Sequence, residues 1–125
     1  MVDVANHGAW LVSDGRVLAS AECADNPRVR RRGLMGRTDV EGAMVLSQCR
    51  WIHTVGMRFD IDVAYLDGDG VVVKTVHMHR MRVGAPVVRA RSVVEAKAGA
   101  FARWGLRVGY VVEIRHTTAV DGDAR

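Results

Sequence analysis

Short β-branched runs between glycine-containing turns recur along this chain, and this pattern restricts its fold more than any other feature. The pair Asp14-Gly15 separates two such runs, as the residues of a hairpin turn do. The turn sequence Asp-Gly-Asp-Gly at 67–70 precedes the run of valines at 71–73. Because β-branched side chains fit a pleated, half-buried surface, the pattern predicts a mainly β protein. A chain of 125 residues has room for one core, so we expect a single domain.

Two short helices interrupt the predicted strands. Asn26-Pro27 is typical of a helix start and predicts a helix over 27–36, while a second helix is predicted over 98–104 and ends at Gly105. We therefore expect a single compact, antiparallel β-barrel or sandwich over 1–116 with two short helices. The polar tail at 117–125 is expected to be disordered. Strands are predicted within 9–21 as a hairpin and at 43–46, 51–54, 61–66, from 71 onward, 93–96 and 109–115.

The net charge of +4 raises the question of nucleic-acid binding. Of the 18 basic residues, only Lys74 and Lys97 are lysines, and the arginines are scattered apart from a cluster at 28–32. A charge of this size affects solubility and nonspecific binding more than it defines a partner. Nucleic-acid binding through Arg28–Arg32 is therefore a weaker alternative, and we do not expect it to be the main function.

The location of the protein is predicted from what the sequence lacks. It has no run of eighteen or more apolar residues, so we expect no membrane-spanning helix. Its first residues include an acidic side chain and no long apolar stretch, which is unlike a secretory signal. A cytoplasmic location is the default interpretation, and in a reducing compartment Cys23 and Cys49 are expected to remain thiols.

Cys49 and His53 are one pair with catalytic potential, because an imidazole can activate a thiol as a nucleophile. On an extended strand the two residues share a face but lie about 13 Å apart, at roughly 3.3 Å per residue. A direct hydrogen bond needs about 3 Å, so the segment would have to turn between them. A hydrolase-like Cys49/His53 enzyme is therefore an alternative and not the leading hypothesis.

His77 and His79 are separated by one residue and share one face of a strand. Such a pair is a common way for a β-barrel to offer two imidazoles to one metal ion. Arg80 and Arg82 follow, and neighbouring cations oppose metal binding. A metal enzyme that uses His53, His77 and His79 is an alternative, but we predict two surface histidines on an edge strand, with no metal or other cofactor.

Asp62 and Glu95 each interrupt an apolar run, Ile-Asp-Val-Ala and Val-Val-Glu-Ala. Strand alternation can point either carboxylate outward into solvent. A carboxylate that points inward needs a partner, and Arg30 or Arg32 can bind it through two parallel hydrogen bonds. We expect these residues and His53 to converge on one face of the fold, as a buried network or as the floor of an anion-binding pocket.

Three stretches in a fixed order carry a resemblance to a known family: RxRGLMGR at 30–37, CxWIHTxGMRFxIDVAYLDxDG at 49–70 and VVEAKAGAFARWGLRVG at 93–109. Together they resemble the domain of unknown function 192 family, a group of small bacterial and archaeal proteins, over roughly 15–115. Each stretch is weakly specific alone, but the combination is specific. The Cys-x3-His-Thr pattern is similar to one branch of the family, whereas a sister branch has Trp-Met-Lys-Asn-Thr there.

The resemblance implies a compact, mainly β fold but no reaction, because the family's biochemical role is not established. Asp60 stands where the family has proline, which is expected to loosen the entry into the strand. Tyr110 stands where the family has aspartate, so any site that needs this carboxylate lacks it, and Val55 replaces a common aromatic residue. The family's motif residues carried over onto this sequence are Arg30, Arg32, Gly33, Leu34, Met35, His53, Thr54, Met57, Asp62, Asp67, Gly70, Glu95, Gly99, Gly105 and Gly109.

The leading hypothesis for function is a small binding or accessory module without catalysis. No complete nucleophile–base pair or metal-ligand set can be assembled from the sequence, and it contains no phosphate-binding glycine loop and no nucleophile elbow. We expect a small molecule or an anion to bind in a polar pocket. The residues predicted to line this pocket are Arg30, Arg32, His53, Thr54, Asp62 and Glu95.

Overall fold

Seven strands and one short helix form in the computed structural model, which describes residues 6–24 and 40–116. The first two strands make the predicted hairpin, and the turn residues Asp14 and Gly15 have φ angles of 53° and 74°. Positive φ at both positions is the geometry of a type I′ turn, which matches the twist of the flanking strands. The elements are β1 (Asn6–Ser13), β2 (Arg16–Ala24), β3 (Ala43–Ser47), β4 (Ile61–Leu66), β5 (Val72–Met78), β6 (Ser92–Lys97), α1 (Ala100–Trp104) and β7 (Val112–His116).

The strands form one sheet in the order β5-β4-β6-β3-β2-β1-β7. Neighbouring strands are antiparallel except β2 and β3, which run parallel where 21–24 pairs with 43–46. The two edge strands, β5 and β7, meet at one end, where an isolated bridge joins Val71 and Val111. The described strands thus form an open sheet whose edges meet at one corner. The predicted mainly antiparallel barrel or sandwich is confirmed in outline.

Backbone hydrogen bonds hold this corner together. The N–H of Val112 donates to the carbonyl of Gly70 at 2.8 Å, and the N–H of Val72 donates to the carbonyl of Tyr110 at 2.9 Å. Gly70 has a φ of 83°, and a Cβ added there would lie 2.6 Å from the carbonyl oxygen of Val112. Glycine is therefore required by conformation and by space. Tyr110, where the resemblance predicts aspartate, contributes to this corner through its backbone.

The sheet buries side chains on both of its faces. All six residues of β4 are buried. Val63 and Tyr65 belong to one apolar cluster, whereas Ala64 and Leu66 belong to a second cluster on the other face, which also contains Phe101 of α1. This division follows from the alternation of side chains along a strand. We call the first surface of the sheet the tyrosine face and the second the helix face.

Most predicted elements agree with the structure, with one clear exception. The helix predicted over 98–104 is confirmed as α1, and Gly105 ends it with a φ of 71°. The strand predicted over 51–54 is wrong. Trp51 and Thr54 direct their side chains to the backbone of the segment 79–84, so 51–54 stays irregular apart from an isolated bridge at His53. The predicted helix at 27–36 and the predicted disordered tail at 117–125 lie outside the described residues.

Two further features concern helix length and the cysteines. Within 6–24 and 40–116, no helix is long and apolar enough to cross a membrane. Cys23 is buried and Cys49 half-buried, and in this part of the chain, which holds both cysteines, no disulfide joins them.

Candidate functional site

Two carboxylate–histidine pairs lie side by side at the end of β5. Asp62 stands directly opposite His77 in the β4–β5 ladder, and the same register places Asp60 opposite His79 just beyond it. A carboxylate oxygen of each aspartate lies near Nδ1 of its histidine, at 3.2 Å for Asp62 and His77 and at 3.0 Å for Asp60 and His79. Because residues two apart on a strand share a face, all four side chains lie on the helix face. We call them the carboxylate–histidine cluster.

The two aspartates have different surroundings. Asp62 is buried, and its Oδ2 accepts hydrogen bonds from the N–H groups of Gly99 at 3.0 Å and Phe101 at 3.1 Å. It therefore satisfies the first amides of α1, where Gly99 has no side chain to do so. Asp60 is half-buried, and its Oδ1 accepts the N–H of Arg80 at 2.9 Å. The hydrogen bond from His79, followed by that from Arg80, lowers the pKa of Asp60.

The two histidines lie at the surface, on and just beyond the edge strand β5. Their side chains are 50% and 65% exposed for His77 and His79. The ring centroids are 5.0 Å apart and the ring planes are nearly perpendicular, at 87°. One ring nitrogen of each histidine and one carboxylate oxygen of Asp60 all lie within 4.8 Å of one another. Three groups that can bind a metal ion thus meet at one point of the surface.

A groove of about 270 Å³ follows the edge of β5 and is bounded on its far side by the segment 82–85. Lys74 and Arg82 bring positive charges to it, and Tyr65, which is buried, comes from the neighbouring strand. None of the described residues that line it is acidic. We call it the β5 groove. The lining residues are Tyr65, Lys74, Val76, His77, Met78, His79, Arg82, Val83, Gly84 and Ala85.

Thr54 fixes the segment that leads into the far wall of the β5 groove. Its side chain is fully buried, and its Oγ1 donates to the carbonyl of His79 at 2.7 Å. The same oxygen accepts the N–H of Arg82 at 2.8 Å. Two backbone bonds reinforce this contact, since the N–H of Thr54 donates to the carbonyl of Arg82 and the N–H of Met81 donates to the carbonyl of Thr54. The predicted pocket residue Thr54 therefore shapes the groove from behind.

Replacement of Thr54 by valine is expected to lower the free energy of unfolding by about 2 kcal/mol, because two part-buried hydrogen bonds, to the carbonyl of His79 and from the N–H of Arg82, are lost. Thr54→Ser keeps the hydroxyl and should retain most of the stability. Urea unfolding of the three proteins measures the difference. If valine leaves the stability unchanged, the hydroxyl of Thr54 does not hold the segment.

Glu95 lies on the tyrosine face, opposite Val63 of β4 and Met44 of β3. It is only 4% exposed, and its Oε1 has no hydrogen-bond partner among the described residues. Burial raises the pKa of Glu95 from 4.5 to about 8. On the same face, burial and then the charges of Cys49 and Glu95 raise the pKa of Tyr65 to about 12. Glu95, which its raised pKa keeps mostly protonated at physiological pH, thus lies on the same face of the sheet as Tyr65, a residue that lines the groove.

The prediction that Asp62 and Glu95 share one face is wrong. The β4–β6 register places Asp62 opposite Ala96, the chain neighbour of Glu95, so the two carboxylates point to opposite faces of the sheet. Asp62 has His77 and the amides of α1 as partners, with no arginine needed. Arg30 and Arg32 lie outside the described residues, so their pairing with Glu95 stays a prediction.

His53 and Cys49 bond to backbone groups of their own segment. Nδ1 of His53 accepts the N–H of Val55 at 3.2 Å, and its ring lies 5.5 Å from that of Trp51. Sγ of Cys49 donates to the carbonyl of Trp51 at 3.3 Å. These contacts do not build the nucleophile–base couple that the enzyme alternative requires. Of the predicted pocket residues, Thr54 fixes the segment behind the groove, and Asp62 contacts His77, one of the residues that line it.

Sequence reasoning missed Asp60 as a member of the site. We expected the departure from the family's proline to loosen the strand entry, whereas the Asp60 carboxylate binds His79 and the N–H of Arg80 across the strands. One pattern in the sequence indicates the cluster. Asp60 and Asp62 are two apart, and so are His77 and His79, on two strands joined by a tight turn. When the two strands pair antiparallel, residues two apart on one strand can lie directly opposite residues two apart on the other, as the aspartates and histidines do here.

A comparison with family models supports the resemblance drawn from the three stretches. The model of DUF192, a domain of unknown function described as an uncharacterised ACR, matches residues 9–114. This match spans most of the 125 residues. The chain belongs to the DUF192 family. The family description names no reaction or ligand for this DUF192 protein.

Solved structures share the DUF192 fold seen here. A protein of unknown function from Novosphingobium aromaticivorans aligns with a TM-score of 0.72 and 18% identity, covering 86% of this chain and 84% of that chain. A protein from Sinorhizobium meliloti, provisionally named a transcription regulator, aligns with a TM-score of 0.73 and 22% identity, covering 91% and 97%. At these identities the likeness shows the fold alone. A search of curated proteins found no match.

Proposed function

We propose that this DUF192 protein is a small binding module that holds a small anion in the β5 groove. The observation that carries the proposal is the charge of the lining. Lys74 and Arg82 are cationic, and the described lining residues include no carboxylate. His77 and His79 are polar members of the same lining. A cleft lined by one sign of charge raises the local concentration of ions of the opposite sign.

The size and the walls of the groove favour a small ligand. Its volume of about 270 Å³ is near the lower end of ligand pockets, which hold about 300–1,000 Å³. One wall is the edge strand β5, and the segment behind the other is fixed by the buried hydroxyl of Thr54. Both walls therefore exist before a ligand arrives, which reduces the entropy lost on binding.

Titration calorimetry with inorganic phosphate, sulfate and citrate tests this proposal at constant ionic strength. We expect saturable binding of at least one of these anions. Arg82→Gln should weaken that binding about tenfold, the loss of roughly one charge-assisted hydrogen bond. Arg107→Gln is the matched control, because it removes the same charge from an exposed arginine that does not line the groove.

Two results would contradict the anion site. The first is equal weakening by Arg82→Gln and Arg107→Gln, since binding would then depend on net charge and not on the groove. The second is the absence of saturable binding for all three anions. Unfolding curves of both variants show whether a lost signal reflects a lost fold.

The other functions predicted from the sequence have less support. Nucleic-acid binding through Arg28–Arg32 stays a prediction, because these residues lie outside the described ranges. A hydrolase-like role for Cys49 and His53 is not supported by their backbone partners. The proposed module would act in the cytoplasm, the location expected from the sequence.

A further inference from the structure

The carboxylate–histidine cluster has the chemistry of a metal site, in addition to the groove beside it. One ring nitrogen of His77, one of His79 and one carboxylate oxygen of Asp60 lie within 4.8 Å of one another. The ligands of a tetrahedral zinc ion, each about 2.1 Å from the metal, lie about 3.4 Å apart. Both histidine side chains are at least half exposed, so their rings have room to turn towards this spacing.

The partners of the two rings favour metal binding. Nδ1 of His77 lies 3.2 Å from Asp62, and Nδ1 of His79 lies 3.0 Å from Asp60. For His77, whose partner Asp62 is not one of the three groups, this contact favours the tautomer with the hydrogen on Nδ1 and leaves a lone pair on Nε2. For His79, whose partner Asp60 is itself one of the three groups, the contact brings Nδ1 and a carboxylate oxygen close to the spacing of two ligands. Asp62 is itself held by the two amides of α1, so the carboxylate that orients His77 is fixed by the fold.

We propose that Asp60, His77 and His79 bind one divalent transition-metal ion of the zinc type. Imidazole and carboxylate together suit zinc and its neighbours in the first transition row, whereas magnesium and calcium prefer oxygen ligands alone. Three protein ligands leave at least one position for water or for an anion from the β5 groove, and only this last contact rests on the proposed function.

Arg80 is the residue that opposes binding. Its N–H donates to Oδ1 of Asp60, and its Nε lies 4.0 Å from the same oxygen. The side chain is 60% exposed and at the edge of ion-pair distance, so solvent screens it and it can turn away from a metal ion. Removal of this charge by Arg80→Gln should therefore strengthen metal binding. Variants that remove one of the three ligands should weaken it.

The experiment is titration of the full chain, made without a histidine tag, with Zn²⁺ by calorimetry and with Co²⁺ by visible absorption. We expect one ion per chain and a rise in the melting temperature on addition of Zn²⁺. His77→Ala, His79→Ala and Asp60→Asn should each weaken binding about tenfold or more. His53→Ala is the control, because this histidine lies outside the cluster and should leave the affinity unchanged.

Three outcomes would overturn the site: no saturable binding of Zn²⁺ or Co²⁺, equal weakening by His53→Ala and His77→Ala, or Asp60→Asn with wild-type affinity. The last result would mean that the two histidines alone chelate the ion. Unfolding curves identify any variant that fails to fold, and Asp60→Asn, the smallest change at a ligand, is then the deciding variant. Arg82→Gln should weaken anion binding but leave Zn²⁺ binding intact, so the two proposals can fail separately.

Discussion

Replacement of Glu95 by glutamine is expected to raise the free energy of unfolding by about 3 kcal/mol at pH 7. Glutamine has nearly the same shape as glutamate and stays neutral at every pH. The wild-type carboxyl is 4% exposed, and its Oε1 has no hydrogen-bond partner among the described residues. At pH 7 the folded chain must therefore keep a proton that the unfolded chain releases, and glutamine removes this cost.

The pH dependence has a definite sign. Burial raises the pKa of Glu95 from 4.5 to about 8, so the folded chain binds more protons than the unfolded chain between these values. The contribution of Glu95 to stability is complete below pH 4.5 and is lost as the pH rises towards 8. The free energy of unfolding should fall by about 1.4 kcal/mol for each pH unit in this window. Glu95→Gln should abolish this slope.

Urea unfolding at pH 5, 6, 7 and 8 measures both the slope and its loss. Glu113→Gln is the matched control, because it makes the same chemical change at an exposed site. The hydrogen bond from Arg115 lowers the pKa of Glu113, the opposite direction to the shift of Glu95, so the control should keep the wild-type slope.

The opposite result would identify a different partner for Glu95. If Glu95→Gln destabilises the protein at every pH and the wild type gains stability as the pH rises, the carboxylate is ionised and paired. Arg30 and Arg32 are the partners predicted from the sequence. Breaking such a buried pair would cost about 3–5 kcal/mol, which is distinct in sign from the stabilisation expected here.

The features of the fold that could be predicted are those determined by local chemistry. Asp14-Gly15 supplies the positive φ angles of a two-residue hairpin, and Gly105 supplies the left-handed end of α1. The segment 51–54 was predicted as a strand from its composition. The side chains of Trp51 and Thr54 donate instead to carbonyls of the segment 79–84. Nothing in the sequence around 51–54 indicates these distant partners.

The candidate site was harder to predict because it depends on strand register. Alternation shows which residues of one strand share a face, but it does not show how two strands align. Asp62 and Glu95 both interrupt apolar runs, yet in the β4–β6 register Glu95 is one position away from the residue that faces Asp62. Because side chains alternate along a strand, the two carboxylates therefore point to opposite faces of the sheet. The β4–β5 register brings Asp62 and His77 together instead, a pair that residue spacing alone does not reveal.

Replacement of Asp62 by alanine is expected to lower the free energy of unfolding by about 3 kcal/mol, because the buried amide of Phe101 and the part-buried amide of Gly99 lose a charged acceptor. Oδ2 of Asp62 accepts the N–H groups of Gly99 and Phe101, which begin α1. No side chain of α1's own cap replaces these bonds, since the cap residue is glycine. Urea unfolding measures the loss, and hydrogen exchange at the amide of Phe101 should become faster than expected from global unfolding alone.

Two matched variants separate this anchoring role from a general effect of charge. Asp62→Asn keeps an oxygen that can accept both amides and should cost only about 1 kcal/mol, the charge-assisted part of the bonds. Asp60→Ala removes the neighbouring carboxylate, which is more exposed, and should change stability far less than Asp62→Ala. If all three variants lose the same stability, Asp62 acts through the charge of the cluster and not through the start of α1. An unchanged exchange rate at Phe101 in Asp62→Ala would lead to the same conclusion, because the amide would then be protected by the packing of its ring on the helix face.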